Sequence, residues 1–213
     1  MEYSALIVAA GNGSRMKLGF NKVYAKLSSG EMILEKTVNV FMQDPDCRQV
    51  IVVTDAKEYR HRMTKRFSGR VVLCAGGKTR QESVHNGLQA VIGDIVMIHD
   101  GARPYLSQKN LDDLKKTMEN EHACLLTVPC KDTIKKVEDG YVKETYERSS
   151  LAAAQTPQVF NTELILQCME KALADGFVGT DDASLVERYS DVRIKAVEGS
   201  YENIKITTPE DLK

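Results

Sequence analysis

The 213-residue chain has almost no net charge, no long apolar run and no paired cysteines. Its 29 Lys and Arg are matched by 30 Asp and Glu, a formal net charge of −1, so it lacks the basic excess of a polybasic nucleic-acid binder. No apolar run nears the roughly 18 residues that a membrane span needs. The opening Met1-Glu2-Tyr3-Ser4 has no basic region, and the apolar stretch at 5–10 is too short for a signal peptide. The expected compartment is therefore the cytoplasm, with no membrane partner. Five scattered cysteines, Cys47, Cys74, Cys124, Cys130 and Cys168, form no CxxC pair, which argues against a disulfide framework or a zinc site. His61, His85, His99 and His122 show no metal-binding spacing. With 14 Gly and 5 Pro the chain is neither collagen-like nor of low complexity, and at 42% hydrophobic it is too apolar for disorder. Its length suits one α/β domain.

What is present is an alternation of short β-branched runs and longer amphipathic stretches. Strands are expected over residues 3–9, 49–54, 70–74, 95–99 and 123–128, and helices over 33–41, 59–67, 81–91 and 111–119. Val84, Leu88 and Val91 recur at helical spacing, with Thr79 and Glu82 as a capping box ahead of them. This rhythm predicts a Rossmann-like, mostly parallel, doubly wound sheet with ligands at the carboxyl ends of its strands. Residues 131–148 break the rhythm. They are polar and β-prone around Glu138-Asp139-Gly140, which reads as a protruding β-hairpin arm. Such an arm either serves oligomerisation or site closure, or is an edge hairpin without a role. Helices at 162–174 and 182–189, a strand at 193–198 and a short strand at 203–206 follow. The chain ends in a Pro-led helix start at Thr208-Pro209, with the threonine as N-cap.

Two segments carry chemistry. The first strand runs into Ala9-Ala10-Gly11-Asn12-Gly13-Ser14-Arg15-Met16, where glycines bring N–H groups close to phosphate oxygens. Met16 replaces the third glycine of the dinucleotide fingerprint, and the P-loop pattern is absent too. Between Tyr3 and Gly30 stand four bases (Arg15, Lys17, Lys22, Lys26) and no acid, a balance that suits a triphosphate. The fourth strand ends in His99-Asp100-Gly101-Ala102-Arg103-Pro104. A carboxylate there can hold Mg²⁺, and Arg103 can clamp a phosphate. Asp100 can equally cap the following turn, and His99 reads as a packing residue.

Together these segments resemble the 2-C-methyl-D-erythritol 4-phosphate cytidylyltransferases of the non-mevalonate isoprenoid pathway. The resemblance rests on six ordered motifs covering essentially the whole chain: A-A-G-x-G-x-R-M at 9–16, G-G-x-x-R-x-x-S at 76–83, D-G-A-R-P at 100–104, A-Q-T-P-Q-x-F at 154–160, T-D-D-A-S at 180–184 and V-E-G-x-x-x-N-I-K-I-T at 197–207. It implies a single nucleotidyltransferase domain over 1–213, with an arm that embraces a second subunit in a homodimer. It implies transfer of a cytidylyl group from CTP to a polyol phosphate, with Mg²⁺ or another divalent cation as cofactor.

By the same resemblance, Arg15, Lys22, Arg148 and Lys205 are catalytic. Ala9, Ala10, Gly11, Asn12, Gly13, Gly77, Arg80, Ser83, Asp100 and Ala102 bind nucleotide, Gly77 by close approach to the base or ribose. Arg103, Thr133, Arg148, Thr156, Thr180 and Lys205 bind the second substrate, and Asp100 holds the metal. The family's Pro-Lys-Gln is Asn21-Lys22-Val23 in this chain. Loss of the stiffening proline predicts a loop over 15–26 that orders only with CTP. Ribitol-5-phosphate cytidylyltransferases share fold and mechanism, but tend to carry Ser-Val where this chain has Gly101-Ala102. A non-catalytic nucleotide binder would not need Arg15, Lys22 and Asp100 together. The basic run from Lys57 to Arg70 reads as a solvated helix face, not a nucleic-acid site.

Overall fold

A computed structural model describes residues 1–11, 19–64, 67 and 69–212. A seven-stranded sheet forms the middle layer. Its strands are β1 (Tyr3–Val8), β2 (Cys47–Val53), β3 (Val71–Cys74), β4 (Ile95–Asp100), β5 (Ala123–Pro129), β8 (Ala152–Asn161) and β9 (Lys195–Glu198), in the order β3-β2-β1-β4-β8-β5-β9. The β1–β2, β1–β4, β2–β3 and β5–β9 pairs are parallel, whereas β8 runs antiparallel to both β4 and β5. The mostly parallel, doubly wound arrangement expected from the sequence is thus present, with one reversed strand.

The strands alternate between two apolar layers. Tyr3, Ala5 and Ile7 of β1 and Met97 of β4 face one cluster, while Leu6, Val96 and Ile98 face the other. The first cluster is closed by α1 (Ile33–Gln43) and α4 (Gln108–Thr117), the second by α3 (Arg80–Leu88), α5 (Thr162–Ala174) and α6 (Ala183–Tyr189). In α1, Leu34, Val38 and Phe41 recur on one face and are fully buried. Burial of side chains this size contributes about 1.5–3 kcal/mol each.

Several boundaries differ from expectation for identifiable reasons. Helix α2 spans Ala56–Arg62, not 59–67, because the Asp55 carboxylate accepts the Glu58 N–H and starts the helix early; Lys65 and Arg66 lie outside the described residues. Residues 203–206 form no strand. They lie as an irregular segment held by the Ile206 N–H to the Ala102 carbonyl and by the Asn203 side chain to the Thr156 carbonyl. At the end of the chain, Pro209–Leu212 is a short 3-10 turn in which Asp211 accepts the N–H and hydroxyl of both Thr207 and Thr208.

The strand absent from the sequence reading is β8. Three alanines and Pro157 disguise it, since both residue types are depleted in strands. Its pairing with β5 slips: Leu125 faces Gln158 and Thr127 faces Ala154, so Gln155, Thr156 and Pro157 stand across Leu126 alone. A bulge of this kind re-aims side chains, and this one turns Thr156 toward the end of β4.

The predicted hairpin is present as a separate two-stranded sheet, β6 (Lys135–Glu138) and β7 (Tyr141–Thr145). Its turn residues Asp139 and Gly140 have φ of 51° and 83°. Positive φ at both central positions matches the twist of flanking strands and favours Asp-Gly.

Candidate active site

The sheet reverses its winding between β1 and β4, where doubly wound folds leave a crevice at the carboxyl ends of the strands. Val8 and Asp100 are register partners at those ends. The crevice is a cavity of about 400 Å³ whose lining includes Ala9, Ala10, Gly11, Lys22, Gly77, Arg80, Ser83, Asp100, Ala102 and Lys205. Ten of the residues singled out in the sequence therefore meet in one place. Asn12, Gly13 and Arg15 lie outside the described residues.

The carboxylate of Asp100 is the electrostatic centre. Its Oδ2 lies 2.7 Å from Lys205 Nζ and 3.8 Å from Arg103 Nε, and its Oδ1 lies 3.4 Å from Arg80 Nε. Burial alone would raise its pKa, but Arg80 and Lys205 outweigh burial and hold the carboxyl well below the usual carboxylate range. It is an anion at neutral pH.

Neighbouring backbone and side chains fix its place. The Asp100 N–H donates to Thr156 Oγ1 at 3.1 Å, Thr156 Oγ1 lies 3.0 Å from His99 Nδ1, and His99 Nε2 lies 3.0 Å from the Arg103 carbonyl. An amide can only donate and a carbonyl can only accept. The chain therefore runs one way, with the threonine hydroxyl donating to Nδ1 and Nε2–H donating to the carbonyl. Burial pushes the His99 pKa down to about 4, so the ring is neutral at neutral pH. His99 also meets the Phe41 ring edge-on at 5.3 Å, the packing role expected of it. Thr156 is buried, and its hydroxyl is engaged in this chain.

The first loop and the loop before α3 meet back to back. A Cβ on Gly76 would lie 2.3 Å from Ala10 Cβ, and one on Gly77 would lie 2.3 Å from Glu82 Cβ. The bareness of Gly77 is therefore required by the first turn of α3, in addition to its place in the cavity wall. Ser83 is likewise engaged: its hydroxyl accepts the Gly77 N–H and donates to the Thr79 carbonyl. Thr79 caps α3 by accepting the Glu82 N–H. The Glu82 carboxylate reaches Lys78 N–H, one residue before the cap, so the capping box is formed with its return bond shifted by one position.

Asn21 shows how the segment holding Lys22 is set without proline. Its φ is −64°, close to the value proline imposes, and its side chain donates to the Ala9 carbonyl and accepts the Val23 N–H. Its own N–H, which proline would lack, reaches Glu58 Oε1 at 3.4 Å. Residues 19–26 carry a 3-10 turn over Lys22–Tyr24; residues 15–18 lie outside the described ones. The Lys22 ammonium donates to the Ile206 carbonyl at 2.6 Å, tying this turn to the docked C-terminal segment.

The remaining expected residues are more dispersed. Arg103 Nη1 donates to the Asn203 carbonyl at 2.7 Å. Thr133 is exposed at the base of the arm, and Arg148 donates to the Lys131 carbonyl beside a separate depression lined by Thr127, Pro129 and Glu147. Thr180 is exposed on the loop before α6. The sequence reading missed Asp182, which forms a two-toothed ion pair with Arg80 at 3.0 and 2.7 Å. It also missed Asn203, whose buried amide holds Thr156 and Gln155. Both sit inside quoted motifs, so the signal was present but assigned to neighbouring residues.

Known proteins decide the lineage. The family model described as 2-C-methyl-D-erythritol 4-phosphate cytidylyltransferase matches residues 3–213. The chain belongs to that family. Curated relatives of that name from Halalkalibacterium halodurans and Geobacillus kaustophilus are 46% and 45% identical over 217 aligned positions, covering 100% of this chain and 94% of each relative. Among solved structures, the enzyme of that name from Francisella tularensis superposes with a TM-score of 0.86 at 30% identity, covering 100% of this chain and 97% of the other. The 4-diphosphocytidyl-2C-methyl-D-erythritol synthase from Anaerococcus prevotii does so with a TM-score of 0.86 at 32% identity, covering 99% and 95%. Family membership makes the chain a nucleotidyltransferase of the cytidylyltransferase class, on the α/β fold that its sequence suggested.

Proposed function

We propose that the protein transfers the cytidylyl group of CTP to 2-C-methyl-D-erythritol 4-phosphate, giving 4-diphosphocytidyl-2-C-methyl-D-erythritol and pyrophosphate, with the whole chain acting as one nucleotidyltransferase domain. The observation that carries this reading is the gathering of Lys22, Arg80, Lys205 and Asp100 in one cavity at the β1/β4 crevice, with Arg80 and Lys205 paired to the carboxylate. Cations facing one ionised carboxylate suit a triphosphate that enters with a divalent ion.

In this reaction the phosphate oxygen of the polyol attacks the α-phosphorus in line, the P–O bond to pyrophosphate breaks, and the leaving group takes the electron pair. The nucleophile is an anion at neutral pH and needs no general base. Alignment and charge neutralisation carry the catalysis. Lys22 and Arg15 offset charge on the reacting phosphates, and Arg80, Ser83, Gly77 and the Ala9–Gly13 stretch hold the nucleotide. Arg103 and Lys205 receive the second substrate's phosphate in the crevice, joined by Thr133 and Arg148 from the arm of a second subunit, with Thr180 beside the polyol and Thr156 holding Asp100 in place.

The donor set fits Mg²⁺ (or another divalent cation), which is commonly bound by one or two carboxylates with phosphates and water completing its shell. Asp100 would hold it, and when bound the ion would supply further positive charge against the triphosphate. The described residues contain no helix long and apolar enough to cross a membrane. With its described cysteines free, the protein is read as a cytoplasmic enzyme. The arm is read as the homodimer contact: Tyr141 and Val142 are 79% and 64% exposed on it.

Pyrophosphate release measured with CTP, Mg²⁺ and a panel of polyol phosphates tests the substrate. Methylerythritol phosphate is expected to turn over fastest. A preference for ribitol 5-phosphate would overturn the assignment.

A further inference from the structure

We infer that Asp182 is a positioning residue for the nucleotide site: it holds the Arg80 guanidinium toward the incoming nucleotide and off Asp100. The inference rests on the proposed cytidylyl transfer. The Asp182 carboxylate is almost fully buried, and among the described residues its side-chain hydrogen bonds go to Arg80 Nη1 and Nη2, in the parallel two-bond form that fixes a guanidinium plane. The third donor, Nε, reaches Asp100 Oδ1 only at 3.4 Å. Arg80 thus stands between two carboxylates, held firmly by one and loosely by the other, with part of its side chain open to the crevice.

Asp182 has no competing duty as a helix cap. It precedes α6 with helical φ and ψ and makes no side-chain capping bond, because Asp181 accepts the Ser184 N–H instead. The loop carrying Asp182 is clamped from both sides. Gln81 of α3 accepts the Gly179 N–H and donates to the Phe177 carbonyl. Gln158 of β8 donates to Asp181 and accepts the Ala183 N–H. Both amides are buried. Such support places one carboxylate opposite one guanidinium and leaves it little freedom to move.

Without the Asp182 charge, Arg80 is free to close on Asp100, which removes its donors from the nucleotide and sets a cation against the carboxylate proposed for the metal. The test is a double-mutant cycle of D182N and R80A. It uses CTP–Mg²⁺ titration of the full chain by calorimetry, together with steady-state pyrophosphate release. D182N is expected to weaken CTP binding and raise the CTP KM by about tenfold or more, the scale of losing a charged hydrogen bond, with a smaller change in kcat. It should also raise the Mg²⁺ concentration needed for half-maximal rate. In the R80A background, D182N should cost no further CTP affinity. Because R80A leaves a buried carboxylate unpaired, D182N/R80A should unfold at a higher temperature than R80A.

Additive losses in the cycle, or an unchanged CTP KM in a folded D182N, would overturn the inference while leaving the transfer reaction intact. A wild-type protein that neither binds CTP nor releases pyrophosphate would overturn the functional reading itself, and this inference with it.

Discussion

At the scale of single residues, the crevice is organised around where charge is held. Asp100 remains ionised because Arg80 and Lys205 outweigh the cost of its burial. His99 remains neutral because burial dominates. His99 thus works as a spacer in a hydrogen-bond chain and brings no second charge to the site.

Tyr24 shows the same logic on the alkaline side. Burial pushes its pKa up to about 12, opposed by its bond to Thr54 and helped by the nearby Glu58 charge. A tyrosine whose folded pKa is raised favours the neutral form in the fold. Its stabilisation is complete below pH ~10 and is lost as pH rises through about 12. Urea unfolding between pH 9 and ~12 should therefore show a shallower loss of stability in Tyr24→Phe than in the wild type; parallel curves would contradict this.

Which residues were legible depended on how local their signal was. Asp100 and Arg80 stand in compact motifs and Lys22 in an acid-free basic stretch, and all three line the crevice. Asp182 was not, since its role depends on a partner 102 positions away in the sequence.

At the scale of elements, the strands with unmixed β-branched composition were readable, and so were the helices with a clear apolar stripe. Strand β8 was not, because Ala152–Ala154 and Pro157 carry little strand preference and its place is set by its neighbours β4 and β5. Nor was the coil at 203–206 readable, since a run of alternating residues looks like a strand until its hydrogen bonds go to side chains and loop carbonyls.

The arm was readable from its turn, the Asp139-Gly140 pair with positive φ. Val137 and Val142 are cross-strand partners, 58% and 64% exposed, on a two-stranded sheet that cannot bury them itself. With the arm as the dimer contact, the wild type should sediment as a dimer. V137E/V142E should sediment as a monomer with unchanged far-ultraviolet dichroism. A wild type that stays monomeric at micromolar concentration would remove the arm from the assembly.

At the scale of the whole molecule, a net charge of −1 conceals a strong local imbalance. The acid-free stretch after β1 delivers Lys22, the C-terminal segment delivers Lys205 and α3 delivers Arg80, all to one cavity at the carboxyl end of β4, where Lys205 and Arg80 pair with Asp100. The sheet makes this possible by ending β1 and β4 in register, and β8 and the docked C-terminal segment brace the rim.

On the proposed mechanism this concentrated positive charge, and no general base, drives cytidylyl transfer. Pyrophosphate release by Lys22→Ala, at saturating CTP, Mg²⁺ and methylerythritol phosphate, tests it most directly. The expected result is a fall in kcat of about 10²–10³-fold or more in a protein that stays folded, its thermal midpoint lowered by the lost bond to the Ile206 carbonyl; a folded Lys22→Ala protein turning over at the wild-type rate would contradict it.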